Sequence, residues 1–279
     1  MTNFKQSYFH LNPFFYFFIL TTIFLLKFLK ILFLGCVNIK VLAPMAGITN
    51  AEFAMKLIPY GFDTVTIGGY NLDAPSIEAC AKIIERGRKE FNYPQDKVIG
   101  QIEHETKTIK ENFKVCVSAN LRSTTPGPVI EASRIRDLDI VEINCHCRQE
   151  ELTKVGCGQA MLLRDDLEDY IREVVKNADS MVSLKMRANV EGVDNLEIAK
   201  IAEDAKVDYL HVDAMKKGVF DADFDLIRQL ADETNLFIIG NNSVNSREQA
   251  QKMLDSGAKG FSIARAAIKG KLDFDISDL

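Results

Sequence analysis

From Val37 onward, short apolar runs alternate with longer stretches in which apolar residues recur every three or four positions. Strand-like runs fall at residues 39–43, 64–67, 98–102, 140–143, 181–186, 209–212, 236–239 and 260–263. They are rich in Val and Ile and mostly apolar on both faces, as strands of a buried parallel sheet are. The stretches between them carry helical periodicity. Residues 76–91 place Ile77, Cys80, Ile83 and Ile84 on one side, and residues 166–176 do the same with Leu167, Tyr170, Ile171 and Val174. The same pattern returns at 196–205, 224–233 and 246–256. Strands joined by crossover helices form a parallel sheet. Eight such units favour closure into a (β/α)8 TIM barrel over an open sheet. In the third connection, residues 107–118 read as a helix and 120–128 as a loop, because Pro126 and Pro128 forbid a continuous helix. A second short helix is expected at 130–135.

The first 36 residues break this pattern. Residues 13–34 are almost wholly apolar and aromatic, interrupted only by Thr21, Thr22, Lys27 and Lys30. That length approaches the roughly 20 residues of a membrane helix. Two readings stand: a membrane anchor, or upstream sequence translated from a start codon placed too early. Either way the chain divides into a hydrophobic extension, 1–36, and a barrel, 37–279. The expected location is the cytoplasm, at a membrane only if 13–34 is an anchor.

Composition narrows the class. With 47% apolar and 26% charged residues, the 279-residue chain can bury a normal core, which excludes disorder. A net charge of −5 argues against a protein that coats nucleic acid, and leaves a local basic patch open. The six cysteines, at 36, 80, 116, 145, 147 and 157, are not spaced as a disulfide framework, and point to a reducing compartment.

A barrel of this kind does its chemistry at the C-terminal ends of its strands. The first strand ends in Ala43-Pro44-Met45-Ala46-Gly47, small residues that let backbone approach a flat ligand. Thr49 or Asn50 can cap the following helix. The third strand, as read here, ends at Gln101, whose amide suits the edge of a pyrimidine or isoalloxazine ring. The fourth ends in Asn144-Cys145-His146-Cys147. A cysteine there can donate a proton or act as nucleophile. Cys145, His146, Cys147 and Cys157 could also ligate a metal, although their spacing lacks the paired knuckles of common zinc sites. Lys185 and Arg187 alternate with apolar residues on strand five, and an inward lysine calls for an anion. His211 closes strand six. The loops after strands seven and eight, Gly240-Asn241-Asn242-Ser243 and Ala264-Arg265-Ala266, match the usual phosphate cradle of this barrel.

In this order the motifs resemble the tRNA-dihydrouridine synthases, in particular short archaeal barrel proteins related to them. The likeness runs from Ile39 to Ala267. It rests on Ala43-Pro44-Met45-Ala46-Gly47, Gln101, Ile143-Asn144-Cys145-His146-Cys147, Gly156-x-Gly158, Leu162-Leu163-Arg164, Lys185-x-Arg187, His211, Ile239-Gly240-Asn241 and Ile263-Ala264-Arg265. The resemblance implies FMN across the barrel mouth, with NADPH or NADH as reductant. Pro44, Met45 and Ala46 would pack on the ring, Gln101 would bond its edge, and Lys185 would favour the reduced anion. His211, Asn241, Asn242, Ala264 and Arg265 would contact the ribityl chain or phosphate. Hydride would pass from flavin N5 to uracil C6, and Cys147 would protonate C5. Asn144 would orient the base, with Arg187 also on the substrate side. The partner implied is tRNA, and no metal is expected.

The chain departs from the family where His146 replaces Gly, Arg148 replaces Pro, and Val212-Asp213 replace Gly-Arg after the strand-six histidine. Nor does the helical C-terminal domain of the bacterial enzymes follow Arg265. These departures keep two alternatives in view. One is a dihydroorotate-dehydrogenase-like flavoenzyme acting on a free small molecule. The other is a non-redox barrel that binds metal through its cysteines.

Overall fold

In a computed structural model, which describes residues 39–279, eight parallel strands close into a barrel in sequence order. They are β1 (Ile39–Leu42), β2 (Thr64–Asn71), β3 (Cys116–Arg122), β4 (Ile140–Cys145), β5 (Met181–Arg187), β6 (Tyr209–Asp213), β7 (Ile238–Asn241) and β8 (Gly260–Ile263). β8 pairs with β1, Val41 opposite Ser262, so no edge is left open.

Side chains alternate across each strand, and the alternation sorts the barrel into two environments. Residues such as Val141, Ile143, Leu184, Val212 and Ile263 point outward into the main core beneath the helices. The inward set is apolar only at the N-terminal end, where Ile39, Val41, Ile140, Met181, Tyr209 and Ile239 form a separate cluster. Above it the inward positions are polar: Asn120, Glu142, Ser183, Lys185, His211 and Ser262, all buried. The apolar plug closes one end, and the polar layers lead to the other.

Helix starts follow local chemistry. Asn50 caps Ala51–Leu57 by accepting from Phe53 N–H at 2.9 Å, and Thr49 Oγ1 instead accepts from Met45 N–H at 2.9 Å. Asp73 and Ser76 form a capping box for Ala74–Glu85.

The third β/α unit corrects the sequence reading. Residues 98–102 are not a strand; they lie in a helix, Gln95–Asn112, whose Val98, Ile102 and Ile109 are buried. A five-residue apolar run suits either element, and here the longer 3.6-residue period decides. The true strand, Cys116–Arg122, was hidden because its inward residues, Ser118, Asn120 and Arg122, are polar. Pro126 and Pro128 open a helix, Pro126–Ala132, rather than prevent one. The first turn needs no intrahelical N–H, so proline fits there. The hydrophobic run at 13–34 lies outside the described residues. Among those described, no helix is long and apolar enough to cross a membrane.

Candidate active site

The C-terminal strand ends surround a cavity of about 730 Å³. That falls within the range of small-molecule sites, about 300–1,000 Å³. Beneath its floor lies a hydrogen-bonded layer built from inward-facing residues of neighbouring strands. Glu142 accepts from Asn120 Nδ2 at 2.8 Å and Ser183 Oγ at 3.2 Å, and lies 2.7 Å from His211 Nδ1. His211 Nε2 lies 2.7 Å from Ser262 Oγ, which accepts from Asn241 Nδ2 at 2.6 Å. These partners assign His211 as a neutral ring, Nδ1–H donating to Glu142 and Nε2 accepting from Ser262. Lys185 Nζ stands 2.8 Å from His211 Nε2 and lines the cavity. Burial would raise the Glu142 pKa, but His211, Lys185 and the donors around it hold it at about 2. Burial lowers the pKa of Lys185, with Glu142 and Asp213 opposing.

The loop after β4 carries the thiol. Asn144 Oδ1 accepts from His146 N–H at 3.1 Å and Cys147 N–H at 2.9 Å, and Asn144 Nδ2 donates to Asn120 Oδ1 at 2.7 Å. One carboxamide thus shapes the turn and ties it to the floor, leaving one Nδ2 hydrogen toward the cavity. From the other side, Cys147 C=O accepts from Gln159 N–H at 2.8 Å. The chain packs there so closely that a Cβ on Gly158 (φ +63°) would sit 2.2 Å from that oxygen. Cys147, 9% exposed, lines the cavity.

His146 belongs to a third group. Its Nε2 is 2.7 Å from Asp213 Oδ2 and 3.0 Å from Arg187 Nη2; Arg187 Nη1 is 3.1 Å from the same carboxylate oxygen. Burial lowers the His146 pKa to about 4 against the pull of Asp213, so the ring is neutral near pH 7. Burial also works against the charge on Asp213, yet His146, Arg187 and Asn242 hold its pKa well below the usual carboxylate range.

Next to this wall, joined to it by Asn242 Nδ2 donating to Asp213 Oδ1 at 2.7 Å, lies an anion cradle. Asn242 and Ser243 take positive φ (101° and 51°), which turns the β7 loop sharply. Among the described residues, the backbone N–H groups of Ala264, Arg265 and Ala266 meet no carbonyl. The exposed Arg265 guanidinium has no ion-pair partner among those residues and lines the same end of the cavity. Between cradle and thiol, Ala43, Pro44, Met45 and Ala46 form a low wall. Gly47 (φ +74°) holds it against Lys89, where a Cβ would meet the backbone at 2.5 Å. A flat aromatic group carrying a phosphate monoester fits this arrangement.

The structure therefore gathers Pro44, Met45, Ala46, Asn144, Cys147, Lys185, Arg187, Asn241, Asn242, Ala264 and Arg265 around one cavity. Two expected residues are elsewhere. Gln101 sits on the outer helix and donates to Glu105 Oε1 at 2.9 Å; Glu105 in turn accepts from Ala51 N–H. The amide at the cavity wall is Asn120, which was missed because its strand was. His211 is fully buried and lies one layer too deep to line the cavity, so it supports Lys185 instead. Glu142, Arg122 and Asp213 were also missed, though their inward register follows from the strand alternation. The proposed cysteine ligand set does not assemble: Cys145 faces outward against Met161, and no cluster of three His, Cys, Asp or Glu among the described residues could hold a metal.

Comparisons with known proteins agree with this geometry. The chain is 37% identical over 241 residues to an uncharacterized protein of Methanocaldococcus jannaschii, covering 84% of this chain and 91% of that one. It is 24% identical to tRNA-dihydrouridine synthase B of Vibrio cholerae, over 82% of this chain and 68% of that one. A thiamine phosphate pyrophosphorylase from Pyrococcus furiosus shares the barrel alone, with a TM-score of 0.50 and 13% identity over 85% of this chain and 89% of that one. The family model for dihydrouridine synthase matches residues 41–270, most of the chain, so the chain belongs to the dihydrouridine synthase family.

Proposed function

We propose that the protein binds FMN across the barrel mouth and reduces uridine to dihydrouridine in tRNA, with Cys147 as the proton donor. One observation carries this reading: an anion cradle, a low apolar wall and a thiol held by Asn144 share a single cavity. Pro44, Met45 and Ala46 would pack on the ring. Lys185 and Asn120 would meet its polar edge. Asn241, Asn242, Ser243, Ala264 and Arg265 would hold the ribityl chain and phosphate. When bound, FMN supplies hydride chemistry, replenished by NADPH or NADH.

The chain's own residues do the rest. Cys147 holds a proton on Sγ and delivers it to C5 of the base, as a general acid. Asn144 fixes the backbone on which that sulfur rides, and its remaining Nδ2 hydrogen can orient the base. Arg187, locked by His146 and Asp213, sets the wall behind the thiol. The family match favours this reading over a dihydroorotate-dehydrogenase-like enzyme, and Cys145, turned outward against Met161, lends the metal-barrel reading no support.

The purified protein should be yellow and release FMN on denaturation. With NADPH or NADH it should form dihydrouridine in tRNA taken from a strain that lacks it. Colourless protein that takes up no FMN, or flavoprotein that reduces only a free pyrimidine, would refute the reading.

A further inference from the structure

Arg122, at the end of β3, is 3% exposed and carries a charge that is only partly answered. Nη1 donates to Glu90 Oε2 at 2.9 Å and lies 3.4 Å from Asn71 Oδ1. Glu90 also takes Arg88 Nε at 2.9 Å, so one buried carboxylate serves two guanidinium groups. Arg122 Nε is buried and has no hydrogen-bond partner. An orphaned buried N–H is costly, the more so on a charged group, and calls for an explanation.

The surroundings supply one. Gly69, Asn120, Arg122 and Cys147 line the same cavity. A Cβ on Gly69 would lie 2.7 Å from Asn120 Oδ1 and 3.1 Å from Arg122 Nε. With no side chain at 69, only the glycine backbone lies beside that N–H. The Arg122 guanidinium and the Cys147 thiol thus belong to the lining of one cavity.

We propose that Arg122 is a substrate-binding residue whose Nε–H donates to the O4 carbonyl of the uracil held against Cys147. The inference rests on the uridine-reducing reading above. O4 is bonded to C4, the neighbour of the C5 that Cys147 protonates, so a base held with C5 at the thiol presents O4 to the groups lining the cavity around it. Of the two ring carbonyls, only C4=O4 is conjugated with C5=C6. As C6 gains hydride from the reduced flavin, the C5=C6 electron pair moves through C4 onto O4 as an enolate. The C4=O4 bond re-forms when C5 takes the proton from Cys147 Sγ. A fixed guanidinium stabilises the charge where it develops and needs no proton transfer of its own. In the resting site the same N–H waits without a partner.

The test compares tRNA transcribed with UTP against tRNA transcribed with 4-thio-UTP, since sulfur is a poor acceptor at that position. Wild type, Arg122→Gln and Gly69→Ala are assayed on both. Gly69→Ala puts a methyl group 3.1 Å from Nε and 2.7 Å from Asn120 Oδ1, so its loss of the preference for normal RNA, rather than its rate alone, decides the matter if Arg122→Gln does not fold. Wild type should lose about tenfold or more in kcat/KM on the thio-RNA, the worth of one charged hydrogen bond. The variants should keep FMN, lose about tenfold in kcat on normal RNA, and show little further loss on thio-RNA. Variants that keep the wild-type preference overturn the proposal, as does a wild type that treats both RNAs alike. A wild type that forms no dihydrouridine from either RNA fells the underlying reading as well.

Discussion

Asn144 Oδ1 accepts the backbone N–H of Cys147 at 2.9 Å, and this bond sets where the thiol stands. The same oxygen takes His146 N–H, and the amide nitrogen reaches Asn120. Replacing Asn144 by Ala removes all three bonds and frees the turn. FMN binding should survive, because none of the cradle residues is touched. Dihydrouridine formation should fall by about 10²-fold, the usual result of losing a positioned group. Single-turnover rates with the flavin reduced beforehand would show it.

Gly158 sits at φ +63° with Cys147 C=O in the space a side chain would fill. Gly158→Ala adds backbone strain and an unavoidable clash. We expect a loss of about 2–4 kcal/mol in stability, read from urea unfolding. The nearby Gly156 has a positive φ but open space, so Gly156→Ala should cost only the backbone part.

Acid should weaken the fold in two overlapping steps. His146 has an ordinary pKa of 6.5 and a folded value of about 4, so the unfolded chain takes the proton first. The stability it contributes is complete above pH 6.5 and is lost as pH falls toward 4. Glu142, with 4.5 ordinarily and about 2 when folded, adds a second loss between those values. His146→Gln should flatten the first step, worth about 3 kcal/mol, and leave the second. Urea titrations from pH 7 down to pH 2 would resolve the two.

Arg265→Ala should weaken FMN binding by about 10- to 100-fold, the range of one charge-assisted hydrogen bond to phosphate. Gln101→Ala should leave that affinity unchanged, because Gln101 lies on the outer helix. Flavin fluorescence titration measures both.

Seven of the eight strands were legible, because short Val-, Ile- and Leu-rich runs mark them, as at Val141, Ile143, Leu184 and Val212. The third was not, since Ser118, Asn120 and Arg122 break the apolar run that marks the others. Gln101 was misplaced with it. The Cys147 loop, Lys185 and the two cradle loops could be read because their motifs lie at strand ends. His211 shows the limit. Sequence puts it on the inward face of β6, but not that Asp213, two residues on and on the same face, is the one that reaches the cavity. The hydrogen bonds linking Glu142, His211 and Ser262 join strands four, six and eight, and only closure of the barrel brings them together.

The most direct test compares wild type with Cys147→Ala, each loaded with FMN and supplied with reductant and tRNA lacking dihydrouridine, with the product counted by mass spectrometry. Wild type should form dihydrouridine, while Cys147→Ala binds FMN equally well and forms almost none. A Cys147→Ala protein that works at the wild-type rate, or a wild type that never reduces uridine, would contradict the account.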